Sequence, residues 1–266
     1  MAEGQNRYKV AVLTICLNQP YHIYLGKMVE SAKKFFLKGH EVDYFSWSDM
    51  PKNSIKGVKI FPTPPFEWPL PTLKRYHLFL QQEELLKEYD FLFYIDADME
   101  FVSRVGDEVL SKDLIAAQHP MYAVSRQLIP PYEPNKDSTS YIPRPGRVID
   151  VNGKKRFEPL YAAGGFQGGR SDSFIKAMKV MKEWIDKDFS NNYVPIWNDE
   201  TAWNKYLFEN PPSVFLSPSY VYPDSLNRAY YQRIWGRNYV PKLVTLTKPF
   251  SLTKDGGVAL NHILNT

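Results

Sequence analysis

Asp96 and Asp98, two carboxylates separated by one residue, follow the apolar run Phe91 to Ile95. Such a pair can hold a Mg²⁺ or Mn²⁺ ion that also grips phosphate oxygens, because hard cations prefer oxygen ligands. Side chains alternate along a strand, so a strand ending here would point both carboxylates the same way. That strand end is the edge where open α/β sheets bind ligands. A solvated turn after a strand would carry the same residues. Four of the 14 glycines fall within six positions, Gly164-Gly165-Phe166-Gln167-Gly168-Gly169, ahead of a helical pattern opening at Ser171 or Asp172. Glycines let backbone approach a ligand closely, and a helix N-terminus attracts anions. A tight strand-to-helix turn fits this segment equally well, and its spacing is neither a dinucleotide fingerprint nor a Walker loop. Asp199 and Glu200 follow Trp197; a carboxylate there suits a nucleophile or base facing the metal pair, or simply complements a helix dipole. Lys74 and Arg75 put two cations at a helix start, which suits a bound anion or a solvated helix end. His119, before Pro120, shares no zinc-binding spacing with the other histidines and by itself fits a packed or surface residue.

The elements that must position these residues have an alternating order. Lys9 to Leu17 is a continuous apolar, β-branched run, the pattern of a buried strand. Tyr24, Leu25, Met28, Val29, Ala32, Phe35 and Phe36 are spaced as one helical stripe that Gly39 ends. Strands are predicted at Val42 to Trp47 and Val58 to Phe61, and the proline-rich Pro62 to Pro71 as loop. Thr72 is the expected N-cap of a helix that reaches Tyr89, before the strand that runs into Asp96. Pro130 to Pro159 is expected to be a long surface excursion, a candidate lid or acceptor loop. A helix is predicted from Ser171 to Phe189, and the tail from Asp224 is aromatic and basic before it turns polar. The strand–helix rhythm predicts an α/β fold with a mostly parallel, helix-covered sheet.

The 266 residues suit a single domain, and 44% hydrophobic with 23% charged residues excludes dominant disorder. Aromatic content of 15% with 21 prolines suits ordered, aromatic-lined loops around a sugar or a nucleobase. Net charge is +4 without a long basic run, Lys154-Lys155-Arg156 being the densest cluster. A nucleotide diphosphate therefore fits better than a nucleic acid. A single cysteine, Cys16, excludes an internal disulfide. No signal peptide, membrane anchor or transmembrane run is apparent, so a soluble, cytoplasmic protein is expected.

In this order the motifs resemble glycosyltransferase family 6, which contains the histo-blood-group A and B transferases, the α1,3-galactosyltransferases and shorter bacterial members. The resemblance begins at Leu13-Thr14 and runs through Tyr21, Glu30-Ser31-Ala32 and Gly39-His40 to Thr72-Leu73-Lys74-Arg75. It continues with Asp96 to Phe101, Val105-Gly106, His119-Pro120, Tyr132-Glu133 and Ser140 to Pro143. Ala163 to Gly169, Trp197 to Glu200, Asn204-Lys205-Tyr206 and Leu216 to Tyr220 complete it. It covers roughly Val10 to Tyr222, and the ordered set is far more specific than any single motif.

The resemblance implies a GT-A fold, with a Rossmann-like nucleotide-sugar half (about 9–118) merged with an acceptor and catalytic half (119–222). A tail (223–266) would lie over the donor. It implies transfer of N-acetylgalactosamine, in preference to galactose, from a UDP-sugar to a galactose 3-hydroxyl, with retention. Asp96 and Asp98 would hold Mn²⁺, with Mg²⁺ as the alternative, and Ala97 would line the donor. Tyr21 would stack on uracil, Arg75 would lie along the donor, and Asp199 would hydrogen-bond the donor sugar. His119 and Trp197 would contact the acceptor, a galactose-containing glycan with or without fucose, and Glu200 would face acceptor and anomeric carbon. Ala163, Gly164 and Gly165 occupy the donor-choosing position, where small residues leave room for an acetamido group. Lys248 or Lys242 would close over UDP. Many bacterial members have Asn-x-Asn and work without metal, so the Asp pair implies metal dependence as in the animal enzymes. The chain departs from the pattern at Cys16 to Asn18, at Asn198 and in a longer 143–160 loop. Two other readings are a catalytically silent carbohydrate-binding protein and a metal-dependent phosphoryl-transfer enzyme.

Overall fold

The computed structural model describes residues 7–123, 130–143, 147–151, 154–158, 161–224, 228–235 and 238–247. Its strands are β1 (Lys9–Cys16), β2 (Glu41–Ser48), β3 (Val58–Pro62), β4 (Phe91–Ile95), β5 (Met99–Phe101), β6 (Leu114–Gln118), β7 (Arg147–Val151), β8 (Lys154–Glu158), β9 (Ala162–Arg170), β10 (Val214–Leu216) and β11 (Leu243–Thr245). Its α-helices are α1 (Gln19–Phe35), α2 (Leu70–Leu73), α3 (Arg75–Leu80), α4 (Glu83–Leu86), α5 (Ser171–Ser190), α6 (Asn198–Glu209) and α7 (Arg228–Trp235). Seven strands form one sheet in the order β10-β6-β9-β4-β1-β2-β3. All pairs are parallel except those of β9, which runs antiparallel between β4 and β6. Strands from both halves expected from the resemblance thus share one sheet.

Both sheet faces are covered, which explains the unbroken apolar runs of β1 and β4. Val10, Val12, Phe91, Phe93 and Ile95 pack with Leu25, Met28, Val29 and Ala32 of α1. The alternate residues Ala11, Leu13, Leu92 and Tyr94 pack with Tyr76 and Phe79 of α3, Phe174, Met178 and Met181 of α5, and Trp203 of α6. No described helix is long and apolar enough to cross a membrane.

The structure corrects several expectations. The helix predicted after Thr72 is three short pieces, α2 to α4, and the first of them begins inside the proline-rich segment. Thr72 does not cap it; its hydroxyl donates back to the Pro69 carbonyl at 2.9 Å. The 130–159 excursion contains the β7–β8 hairpin. The glycine-rich segment is neither a loop nor a turn but the strand β9. At Gly169, where φ is +142°, an added Cβ would lie 2.3 Å from the Asp113 carbonyl oxygen, so only glycine allows these strands to meet.

Running antiparallel, β9 starts at the carboxyl edge of β4 and finishes beside its amino end, where the Ser171 N–H donates to Asp90. Arg170, the N-cap of α5, therefore lies about 17 Å from Gly165, five residues at roughly 3.4 Å each. That helix start cannot serve an anion at Asp96.

Candidate active site

The carboxyl edge of β4 ends in a turn, closed by the Met99 N–H donating to the Asp96 carbonyl at 3.1 Å. Asp96 and Asp98 thus sit on a turn rather than a strand, and alternation does not set their directions. The Asp96 side chain is 39% exposed, whereas Asp98 is buried. Ala97 between them is buried. The start of β9 lies alongside, with the Asp96 N–H donating to the Gly165 carbonyl at 3.0 Å.

Behind Asp96 lies Arg75, almost wholly buried. One guanidinium nitrogen is 2.6 Å from Asp199 Oδ2 and donates to the Gly164 carbonyl at 3.3 Å; the other is 3.5 Å from Asp96 Oδ1. The guanidinium carbon lies 3.8 Å over the Tyr94 ring, whose hydroxyl bonds Asp96. Arg75 therefore binds this chain's own carboxylates. Its neighbour Lys74 lies 5.3 Å over the Phe189 ring instead, so the two cations expected to act together are split.

α6 places Asp199 and Glu200 in its first turn. Dipole complementation alone does not account for them, because Asp199 is buried on Arg75. Burial raises the Asp199 carboxyl to about 6, against the opposing pull of Arg75. Glu200 accepts from the Gly164 N–H at 2.7 Å. Its enclosure raises it to about 7, with the Gly164 N–H and the Tyr161 hydroxyl opposing and Asp199 and Asp96 adding to the rise. An added Cβ would lie 3.3 Å from Glu200 Oε2 at Gly164 and 2.7 Å from Asp96 Oδ2 at Gly165. Both glycines thus admit the site's own carboxylates, a reason for smallness beyond room for a ligand. Ala163, next in the row, is buried.

On the Glu200 side, His119 Nδ1 accepts from the Met121 N–H at 3.2 Å. Burial lowers its pKa to about 4, so it is neutral near pH 7 with its proton on Nε2. Tyr122 and Tyr161 pack on its ring, and Tyr132 packs on Tyr161. Ile196 and Trp197 stand 47% and 49% exposed at the start of α6. Tyr21 lies in the first turn of α1, and its carbonyl oxygen accepts from the Cys16 thiol at 3.4 Å. Burial, with Asp49 and Asp98 adding to it, pushes that thiol up to about 12.

β11 pairs with β5, and the Leu246 N–H donates to the Asp98 carbonyl at 2.7 Å, bringing the tail to the Asp turn. Lys242 is held by Glu108 at 2.7 Å and by the Arg104 carbonyl. Lys248 lies outside the described residues. The sequence reading gave Tyr94, Tyr161 and Gln167 no role of their own. Gln167 Nε2 donates to the Gly164 carbonyl at 3.0 Å and its Oε1 accepts from Tyr76. A polar residue among the apolar and glycine positions of a buried strand was the available signal.

The donor set of the Asp turn is hard oxygen. Among the described residues no three His, Cys, Asp or Glu side chains form a metal cage. Two carboxylates completed by substrate phosphates are how Mg²⁺ commonly binds, so the residues fit such an ion.

Residues 5–242 match glycosyltransferase family 6. The chain belongs to that family. Rat histo-blood group ABO system transferase 1 is 30% identical over 224 residues, which is 80% of this chain and 61% of its own length. Human globoside alpha-1,3-N-acetylgalactosaminyltransferase 1 is 31% identical over 216 residues, 77% of this chain and 58% of its own. The O-antigen biosynthesis glycosyltransferase WbnI of Escherichia coli is 25% identical over 219 residues, 81% of this chain and 88% of its own. The chain spans about three fifths of the length of those two mammalian relatives. Its mixed sheet with helices on both faces agrees with the GT-A arrangement expected of family 6.

Proposed function

We propose that this family 6 chain is a retaining hexosyltransferase that moves N-acetylgalactosamine, in preference to galactose, from a UDP-sugar to the 3-hydroxyl of a galactose-containing acceptor. The observation that carries the reading is one enclosed carboxylate, Glu200, set among Gly164, Asp199 and Arg75 beside the Asp turn. Retention requires either two displacements or same-face attack, and an ionised Glu200 against the anomeric carbon serves either route. The bond from that carbon to the diphosphate oxygen breaks, and a bond to the acceptor oxygen forms. Tyr21 offers its ring to the base, while Asp199, oriented by Arg75, accepts from a donor-sugar hydroxyl. His119 offers Nε2–H and Trp197 an apolar face to the acceptor. Asp96 and Asp98 would hold Mn²⁺, which supplies positive charge to the departing diphosphate. Ala163 is left to set donor preference, and the globoside relative's name supports N-acetylgalactosamine.

The test is incubation with UDP-GalNAc or UDP-Gal, Mn²⁺, and lactose or 2′-fucosyllactose. Transfer is expected, faster with UDP-GalNAc; no UDP release with either donor would refute the reading. Asp98→Asn is expected to remove metal-stimulated turnover, and equal rates with and without EDTA would contradict the metal role. Gly165→Ala pushes a methyl onto Asp96, so kcat/KM is expected to fall on the order of 10²-fold. Turnover close to that of the unmodified protein would show that the Asp96 position does not matter.

A further inference from the structure

Glu133 is buried in a segment without regular secondary structure, yet its carboxylate reaches two separate parts of the chain. Oε1 accepts from the Tyr193 hydroxyl at 2.5 Å and from the Asn135 N–H at 2.9 Å. Oε2 accepts from the Ile196 N–H at 2.9 Å, one residue before Trp197. These three uncharged donors satisfy both oxygens of the buried carboxylate. Asp188 of α5 ties the same two segments a second time. It accepts from the Ser138 hydroxyl and the Thr139 N–H through its side chain, and from the Tyr193 N–H through its carbonyl.

Each tied segment carries a ring or an exposed apolar side chain of the acceptor side. Tyr132, adjacent to Glu133, packs on Tyr161 at 5.5 Å between centroids, and Tyr161 packs on His119. The other segment ends in Ile196 and Trp197. Asp188 holds the two segments at Ser138, Thr139 and Tyr193, and the Glu133 carboxylate is the tie next to Tyr132 and Trp197 themselves. We propose that Glu133 is a positioning residue for the acceptor: its two oxygens tie the Tyr132 wall of the acceptor cleft to the Ile196-Trp197 wall. The assignment rests on the transferase reading, because it is the acceptor sugar that would lie between these walls.

Glu133→Gln keeps the size but leaves one carbonyl oxygen where two acceptors stood. The KM for lactose or 2′-fucosyllactose is expected to rise about tenfold or more. The donor KM and the rate of UDP-sugar hydrolysis by water are expected to stay unchanged. Tyr193→Phe is expected to shift the acceptor KM the same way by less. Without any sugar, amide exchange at Ile196 should quicken in Glu133→Gln while exchange at Gly164 and the rest of β9 does not. An unchanged acceptor KM overturns the assignment. So does a parallel fall in transfer and donor hydrolysis, which marks a merely structural group, and so does unchanged Ile196 exchange. If the unmodified chain releases no UDP from either donor, the transferase reading fails instead, and Ile196 exchange still judges the tie.

Discussion

Replacing Glu200 by glutamine is expected to abolish sugar transfer and, in the same protein, to raise the melting temperature at pH 8. The first effect follows from the proposed reaction, in which Glu200 is the carboxylate set against positive charge at the anomeric carbon; loss of such a group costs on the order of 10²–10³ or more in kcat. The second follows from linkage. Glu200 stands at about 7 in the folded chain against an ordinary glutamate value of 4.5. Between those two values the folded state binds more protons than the unfolded state, so stability falls as pH rises through that window. Above pH 7 the ionised, desolvated carboxylate costs about 3 kcal/mol, which glutamine removes while its oxygen still accepts from Gly164. For a chain of this size that is a rise of roughly 5 °C. If the proposed transfer occurs, the unmodified protein should show the matching profile, with kcat/KM rising through about pH 7 as Glu200 ionises. Thermal melts at pH 5 and pH 8, taken without donor or metal, and a pH–rate profile check both. Equal melting temperatures at pH 8 for the two proteins, or a variant that still transfers sugar, would sink the argument.

Arg75→Met is expected to be the most damaging single change in the site. Its guanidinium is the cation that Asp199 and Asp96 share, and it also holds the Gly164 carbonyl. Removing one partner of a buried pair leaves the other uncompensated, at a cost of about 3–5 kcal/mol. Asp199, already raised to about 6 with Arg75 in place, should rise further without it. The loss is therefore expected to be larger at pH 8, where Asp199 must ionise alone, than at pH 5, where it can stay protonated. Turnover should disappear at both. Arg75→Met with Asp199→Asn should recover part of the stability and none of the activity, since the coupling lies between these two groups. A single variant that melts like the parent at pH 8 would show that Arg75 does not compensate Asp199. Lysine should not substitute, because a point charge cannot span Asp199, Gly164 and Asp96 at once.

Much of the scaffold was legible because its signals are local. β1, β4 and α5 announce themselves by apolar runs or helical spacing, and the Asp pair is adjacent to its strand. The predicted single helix after Thr72 failed because its stripe of Leu73, Tyr76, Phe79 and Leu85 survives interruptions at Lys74 and at Gln81-Gln82; burial of the same face over a continuing path looks periodic whether or not the backbone hydrogen bonds are continuous. The glycine cluster misled for a different reason. Glycine marks a close approach without saying of what, and here the approaching groups are the β4 and β6 backbones and the carboxylates of Asp96 and Glu200.

By itself the sequence determined a helix-covered sheet with acidic residues at a strand's carboxyl edge, and its motifs in order pointed to family 6. Spacing along one chain carries that much, because hydrophobic periodicity and adjacent ligands are one-dimensional properties. Only the tertiary structure decided which way β9 runs, and with it that Gly164 and Gly165 serve the Asp turn while the start of α5 does not. It also decided that Arg75 faces inward to Asp199, and that Glu133 bonds Tyr193 and Ile196 beside Trp197. These contacts bridge residues as far apart as the 89 positions between Arg75 and Gly164. Each depends on burial and on the direction of a neighbouring strand, and neither leaves a pattern in the residues themselves.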